Sequence, residues 1–301
     1  MGKKTIVFFA GAAAIVAASV LVLSIWPIGN DAELKSMEGN VQRGAYLARM
    51  SGCIACHTDV ANGGAPLAGG VKLATDFGTF YSPNLTTSAK HGMGEWTIEM
   101  FAKAVRQGVS PKGEPYYPAF PYPFYAKFTD QDIADLWVAF QTVPAVEIPS
   151  DDHQLAFPFN FRAGVKLWRA AYLDLRPFEP DSAKSEAWNR GKYIVEGAAH
   201  CGACHTPRNF AGARQASFKL QGAERLPDGG KSPPIHAQAL KGNGWDQSSL
   251  AYALKSGIKP DGDVFGGSMA EVVREGTSFL SRQDLNAIAT YLLGANDDAA
   301  Q

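Results

Sequence analysis

The longest uninterrupted apolar run of the chain lies at its N-terminus. It extends from Thr5 to Ile28, contains no charged residue and follows Lys3 and Lys4. A bilayer-spanning helix needs about 20 apolar residues, whereas a cleaved signal peptide has an apolar core of about 7 to 15. The run therefore predicts a transmembrane helix within residues 1–30, with the N-terminus in the cytoplasm because the positive charges precede it. A signal peptide that is removed is the alternative.

Helical periodicity dominates the remaining sequence, and it occurs twice. Trp96 opens an amphipathic pattern that ends at Gly108, and Trp245 opens another that ends at Gly257. Glycine is common just beyond the end of a helix. The last segment of each copy begins with an N-cap residue and continues as an amphipathic helix. The matched segments are 43–47 with 190–194, 82–85 with 232–235, and 129–133 with 281–285. The pattern predicts a tandem duplication of one helical unit.

The amino-acid composition and the charge mainly exclude classes of binding partner. The chain has 301 residues, a formal net charge of −1 and an isoelectric point near 6.6, and it contains no long run of one charge. The residues beyond the apolar run are enough for two domains of ordinary size. This charge balance predicts no nucleic-acid partner, and it favours partner recognition through shape and local patches.

The four cysteines of the chain all belong to one motif that occurs twice. The motif CxxCH is found at Cys53 to His57 and again at Cys201 to His205. It is the attachment signature of c-type haem, in which two thiols bind the vinyl groups and the adjacent histidine binds the iron. A zinc ribbon places its CxxC pairs about 15 to 20 residues apart, whereas 148 positions separate Cys53 from Cys201. A thioredoxin-like pair does not require a histidine after each motif. We therefore predict two covalently bound haem c groups.

The repeats and motifs of the chain resemble those of a known family. It is similar to a class I type cytochrome c in duplicate, and in particular to the membrane-anchored cytochrome c subunits of bacterial periplasmic dehydrogenases that oxidise alcohols, gluconate and aldehydes. The resemblance extends through segments 81–85, 117–122, 188–191 and 266–269. The best-known members carry three haem motifs, whereas this chain has two.

The resemblance implies an all-α fold with two tandem cytochrome c domains behind an N-terminal transmembrane helix. The expected boundaries are 1–30 for the anchor, 38–143 for the first domain, 144–181 for a connector and 182–296 for the second domain. The connector is expected to be ordered, with a short helix near 163–172, because it has aromatic side chains to bury: Phe157, Phe159, Phe161, Trp168 and Tyr172.

The sixth iron ligand is predicted for only one of the two haems. In the family this ligand is usually a methionine between the last two helices, and Met269 lies there, 24 residues after Trp245 and next to a glycine pair. The same count from Trp96 leads to Phe120, which cannot bind iron. The first iron is therefore five-coordinate, or it takes another ligand, or the alignment of the repeats shifts locally; the candidate ligands are Met93, Met100 and His91.

These features predict an electron-transfer subunit. It would accept electrons from a periplasmic dehydrogenase and pass them to a respiratory acceptor such as a quinone, an oxidase or another cytochrome. We expect it at the inner membrane with its globular part in the periplasm, where bacteria attach haem to CxxCH proteins. An open first haem leaves two alternatives: a haem enzyme acting on peroxide or a sulfur compound, and a gas-binding or redox-sensing module.

Overall fold

Helices are the main regular structure of the part of the chain that the structure describes. The computed structural model describes residues 8, 11, 14, 18–32, 34–35, 37–227 and 229–294. The first repeat contains helices α1 (Val41–Met50), α2 (Cys53–His57), α3 (Ile98–Gln107), α4 (Tyr122–Tyr125) and α5 (Asp130–Gln141), with strands β1 (Lys72–Thr75) and β2 (Gly78–Tyr81). Strand β3 (Gln154–Leu155) and helix α6 (Val165–Tyr172) follow. The second repeat contains α7 (Glu186–Tyr193), α8 (Gly202–His205), α9 (Ala237–Gly242), α10 (Gln247–Ser256), α11 (Gly267–Glu275) and α12 (Arg282–Leu292).

The predicted helix ends are confirmed at equivalent places in both repeats. Gly108 ends α3 and Gly257 ends α10, both in the left-handed conformation that glycine adopts without steric cost. Thr129 and Ser281 cap α5 and α12, because each hydroxyl accepts a hydrogen bond from a backbone N–H of the first turn. The periodicity and the capping residues therefore correctly predicted the ends of equivalent helices in both repeats.

Each repeat is built on one close crossing of its first and last helices. A Cβ atom at Gly44 would lie 1.9 Å from the carbonyl oxygen of Asp135, and one at Gly191 would lie 2.0 Å from that of Ala287. Only glycine permits backbones to approach this closely. The crossing of α1 with α5 and that of α7 with α12 therefore have the same sequence requirement.

Ion pairs reinforce both crossings. Arg43 donates two hydrogen bonds to Asp135, at 2.7 and 2.9 Å, and Arg190 donates two to Asp284 over the same two distances. Both carboxylates are at least nine-tenths buried, whereas the arginines are partly exposed. A two-point contact of this kind fixes the geometry of the pair and is stronger than a single neutral hydrogen bond.

The two repeats pack against each other through reciprocal contacts. The hydroxyl of Tyr46 donates to Asp284 Oδ2 at 2.7 Å, and the hydroxyl of Tyr193 donates to Asp132 Oδ2 at 2.9 Å. These are the same positions of the repeat, exchanged between the two copies. Buried apolar residues from both copies also form one continuous cluster, which includes Ile133 and Ile194. The two CxxCH segments are consequently carried on one packed body.

The prediction of a purely helical fold needs a correction. Strands β1, β2 and β3 form an antiparallel sheet in that order, with Thr75 opposite Gly78 across a tight hairpin turn. The alternating exposure along β1 shows the two-residue period of a strand that is covered on one face. Strand β3 belongs to the segment between the repeats, so this segment is joined to the first repeat by backbone hydrogen bonds.

The predicted connector is ordered, but it buries its aromatic residues only in part. Its helix α6 lies within the expected range, after a short 3₁₀ turn. Phe157 is 84% exposed, and Phe159 and Phe161 are also exposed. Trp168 is half-buried and its Nε1 donates to the carbonyl of Ala211 at 3.0 Å, while Arg169 Nη1 donates to the carbonyl of Gln107 at 2.6 Å.

The predicted transmembrane helix is not supported. Among the residues that the structure describes, no helix is long and apolar enough to cross a membrane. The described helical segment at this end covers residues 18–25 and stops before Pro27, whose missing N–H and ring restrict helix continuation. Most of the first 17 residues of the predicted anchor lie outside the described part of the chain.

Candidate haem-binding sites

The two motif histidines have the same hydrogen-bond partner in their respective repeats. His57 Nδ1 lies 2.8 Å from the carbonyl oxygen of Pro83, and His205 Nδ1 lies 2.8 Å from that of Pro233. Because a carbonyl oxygen can only accept, Nδ1 carries the hydrogen and Nε2 is left with its lone pair in the neutral ring. This arrangement is typical of a histidine prepared to bind a metal through Nε2.

The surroundings of both rings favour the neutral form that binds metals. Burial lowers the pKa of His57 to about 4, against a smaller upward effect of the Pro83 carbonyl. Burial also lowers the pKa of His205. Both rings nevertheless remain partly accessible to solvent. Each histidine can therefore be reached from outside the protein.

The four motif cysteines lie in or at the start of the same two short helices as these histidines. Cys53 and Cys201 are half-buried, while Cys56 and Cys204 are exposed. Burial raises the pKa of Cys53 and of Cys201 to about 12. Within the described residues, no group of three or more His, Cys, Asp or Glu side chains is arranged to hold a metal ion directly. One histidine with two neighbouring thiols fits haem c, where the porphyrin supplies the other nitrogen ligands.

The predicted sixth ligand of the second site lies in a helix instead of a loop. Met269 is in the first turn of α11, half-buried and packed against the common apolar cluster. Its position between α10 and α12 agrees with the prediction, but the additional helix was not predicted. The stacked pair of Trp245 and Phe265, with ring centroids 6.4 Å apart, lies in the same part of the repeat.

At the first site Phe120 belongs to an aromatic cluster. Its ring packs against those of Tyr116, Tyr122 and Tyr125 at centroid distances of 5.9 to 6.1 Å. The candidate ligands of this site differ in burial. Met93 is only 3% exposed and packs in the apolar cluster, Met100 is 38% exposed on α3, and His91 is half-buried.

Sequence reasoning missed two arginines beside the second motif. Arg208 Nη2 donates to the carbonyl of Ala203 inside CxxCH at 2.9 Å, and its Nε is buried without a hydrogen-bond partner. Arg214 covers the ring of Phe124 at 3.8 Å. Burial and the neighbouring Arg208 lower the pKa of Arg214 to about 10. Comparison of the repeats could have identified Arg208, because the first repeat has Val60 at the matching position, three residues after the motif histidine.

Comparison with known proteins agrees with this geometry. Residues 41–140 match the family model for cytochrome c. A diheme cytochrome c-type protein of Cereibacter sphaeroides is 42% identical over 273 residues, which are 88% of this chain and 90% of that protein. The chain belongs to the cytochrome c family. Membership implies covalently bound haem c, for which the residues at both motifs are suited.

Two further relatives are subunits of larger enzymes. The fructose dehydrogenase cytochrome subunit of Gluconobacter japonicus is 40% identical over 84% of this chain, which spans 52% of that relative. The gluconate 2-dehydrogenase cytochrome c subunit of Pantoea cypripedii is 36% identical over 92% of this chain, which spans 65% of that relative. The resemblance to dehydrogenase cytochrome c subunits is thus confirmed, although the chain spans about half to two thirds of these two relatives.

Proposed function

We propose that this cytochrome c carries two haems and transfers electrons from a dehydrogenase to a respiratory acceptor. The first haem would be held by Cys53, Cys56 and His57, and the second by Cys201, Cys204, His205 and Met269. The observation that carries the proposal is the duplicated pairing of a motif histidine with a proline carbonyl at 2.8 Å. One such pairing prepares one haem ligand, and the chain has two.

The haem groups, when bound, supply the one-electron chemistry. The chain's own residues hold and orient them. Pro83 and Pro233 set the ring orientation of the two histidines, and Nε2 of each neutral imidazole would bind a haem iron. The shared apolar cluster keeps the two motifs in a fixed relation, so that little rearrangement accompanies a change of oxidation state.

The two motifs also lie close to each other. Electrostatic interaction between the thiols of Cys56 and Cys204 contributes to the raised pKa of Cys56, after burial and the nearby carboxylate of Glu271. The residues that precede the two motifs also meet, because a Cβ built on Gly52 would lie 3.6 Å from His200 Cε1. Haems held at these motifs would therefore be attached to neighbouring segments of the chain. Such proximity suits passage of an electron along the chain from one haem to the other.

The donor is proposed from the names of the relatives. Fructose dehydrogenase and gluconate 2-dehydrogenase each have a cytochrome subunit similar to this chain, so a dehydrogenase of this kind is the proposed donor. The proposed acceptor is a respiratory component: a quinone, an oxidase or another cytochrome. We place the globular part in the periplasm, because bacteria attach haem to CxxCH proteins there.

A haem count combined with carbon monoxide binding tests this function. The purified protein is reduced with dithionite and titrated with carbon monoxide, while a pyridine haemochrome assay counts the haems and the oxidised form is examined for the long-wavelength methionine–iron band. Two haems, a methionine band and little response to carbon monoxide support the carrier. A count of one haem contradicts the proposal.

A carbon monoxide response from one of the two haems would instead indicate an open first iron. Phe120 occupies the methionine position there and cannot coordinate iron, which gives this second candidate its specific basis. The protein would then act on peroxide or a sulfur compound at the first haem. Turnover of such a substrate by the protein alone separates this enzyme from an electron carrier.

A further inference from the structure

The residue before each CxxCH motif has a left-handed backbone. In the first repeat this residue is Gly52, with φ of 70°, and in the second it is His200, with φ of 40°. Glycine adopts this conformation without steric cost, whereas a side chain with a Cβ is strained there. Strain of this kind persists only where the surroundings impose it and is often found at functional sites. The second repeat thus has a histidine at a position where glycine would cause no backbone strain.

A one-residue insertion accompanies this histidine. Seven positions separate Tyr46 from Cys53, whereas eight separate Tyr193 from Cys201. The structure absorbs the extra residue as a turn of π-helix over Ile194–Ala198. Single π-turns of this type are rare and recur at functional sites. The insertion ends two residues before His200, so both departures from the first repeat occur in one short segment.

The side chain of His200 points to the junction between the two motifs. Its ring lies 5.8 Å from that of Phe124 and 5.7 Å from that of Tyr125, measured between centroids. Its Cε1 atom would be 3.6 Å from a Cβ built on Gly52, the residue before Cys53. His200 is itself the residue before Cys201. One imidazole therefore lies between the starting points of both CxxCH segments.

Tyr125 completes this contact on the side of the first repeat. It is 4% exposed, and its hydroxyl donates to the carbonyl of Ser51 at 2.5 Å, two residues before Cys53. Tyr125 and His200 together form a continuous packed connection from Ser51 to Cys201. Electron tunnelling is faster through packed atoms than across gaps, and interiors of this kind contain few voids.

We propose that His200 is a positioning residue for electron exchange between the two haem sites: its ring, packed on Tyr125 and Gly52, fixes the spacing of the CxxCH segments and fills the gap between them. This inference rests on the proposed two-haem function. In the exchange one iron is oxidised while the other is reduced, and no bond is formed or broken. The left-handed backbone occurs before both motifs, so the strain in the second repeat arises because a residue with a Cβ stands at this position.

The test compares three variants of the haem-loaded protein. His200→Asn removes the ring but keeps a residue that tolerates the left-handed conformation. His200→Gly removes both the ring and the strain. His236→Asn is the matched control, because His236 caps α9 and asparagine is also a good N-cap. The rate of electron equilibration between the haems is measured after rapid partial photoreduction, together with both reduction potentials and the Tm.

We expect His200→Asn and His200→Gly to slow equilibration several-fold while both potentials stay as in the wild type, and His236→Asn to leave the rate unchanged. We also expect a Tm for His200→Gly that is no lower than for His200→Asn. Wild-type rates in both His200 variants would overturn the inference, as would a slower rate that accompanies shifted potentials. Failure of the wild type to bind two haems, or to exchange electrons between them, would refute the proposed function instead.

Discussion

The first and second repeats share a scaffold but differ around the expected iron positions. Both have a glycine at the helix crossing, a two-point arginine–aspartate pair, a tyrosine that reaches across to the other repeat, and a histidine hydrogen-bonded to a proline carbonyl. They differ at three matched positions: Gly52 and His200, Val60 and Arg208, Phe120 and Met269.

The residues that the repeats share and the residues that differ have separate roles. The shared residues hold the helices and orient one histidine in each motif. The differing residues precede the motif, follow it, or hold the position expected for a sixth iron ligand. The second repeat has a histidine, an arginine and a methionine at these three positions, whereas the first has a glycine, a valine and a phenylalanine.

Loss of a cysteine pair tests whether the two CxxCH motifs are equivalent, and it has the largest expected effect. We expect Cys53→Ala with Cys56→Ala to remove about half of the covalently bound haem, and Cys201→Ala with Cys204→Ala to remove about the other half, because the proposed function assigns one haem to each motif. The measurement is haem per chain by the pyridine haemochrome assay. Equal loss confirms the equivalence of the motifs; complete loss from one double variant would mean that the repeats do not bind haem independently.

Exchange of the sixth-ligand positions sharpens the difference between the repeats. Met269→Leu keeps the volume of the side chain but removes the sulfur, so the methionine–iron band should disappear and the reduced second haem should bind carbon monoxide. Phe120→Met should have the opposite effect at the first haem, where it offers a sulfur, and should raise its potential. An unchanged band in Met269→Leu would show that another residue binds the second iron.

The sequence was informative where one local rule applied. Glycine at Gly108 and Gly257 and hydroxyls at Thr129 and Ser281 located the helix ends, because capping depends on a few neighbouring residues. The small sheet was missed since β1 and β2 are short and become a sheet only with β3 from the connector. The role of His200 could not be found from its own neighbours: its backbone strain and its contact with Tyr125 exist only after both repeats have packed.

Acid titration tests whether the two aspartate pairs are equivalent. Burial alone would raise the pKa of Asp135 and of Asp284, but hydrogen bonds, chiefly from Arg43 and Arg190, outweigh it and lower both. A lowered folded pKa gives stability that is complete above the unfolded value of about 3.9 and is lost as the pH falls through the folded pKa. We therefore expect wild-type stability to decline below about pH 4 partly through these groups.

Asparagine variants separate the two pairs. Asp135→Asn and Asp284→Asn should each lower the free energy of unfolding by about 2 to 3 kcal/mol at pH 7, with a smaller difference from wild type in acid. Asp135→Asn should have the larger effect, because Asp135 also accepts hydrogen bonds from the backbone N–H of Asn40 and from the side-chain amide of Gln131, whereas Asp284 accepts one further hydrogen bond, from Tyr46. Asp76→Asn, at an exposed ion pair with Arg225, is the control and should change stability by about 0 to 1 kcal/mol. A pH-independent loss in all three variants would contradict this account.

The charge difference between the repeats gives the smallest expected effect. Arg208 lies against CxxCH of the second repeat, hydrogen-bonded to Ala203, and the first repeat has Val60 at this position. A positive charge beside a haem favours the reduced form, so Arg208→Gln should lower the potential of the second haem and leave that of the first unchanged. Arg208→Lys keeps the charge and should shift the potential less, although it loses the two-point geometry of the guanidinium. The measurement is a redox titration that resolves both haems. Equal shifts of both potentials would mean that Arg208 acts on the packing between the repeats and not on its own haem, and the proposed electrostatic difference between the two sites would then have to be abandoned.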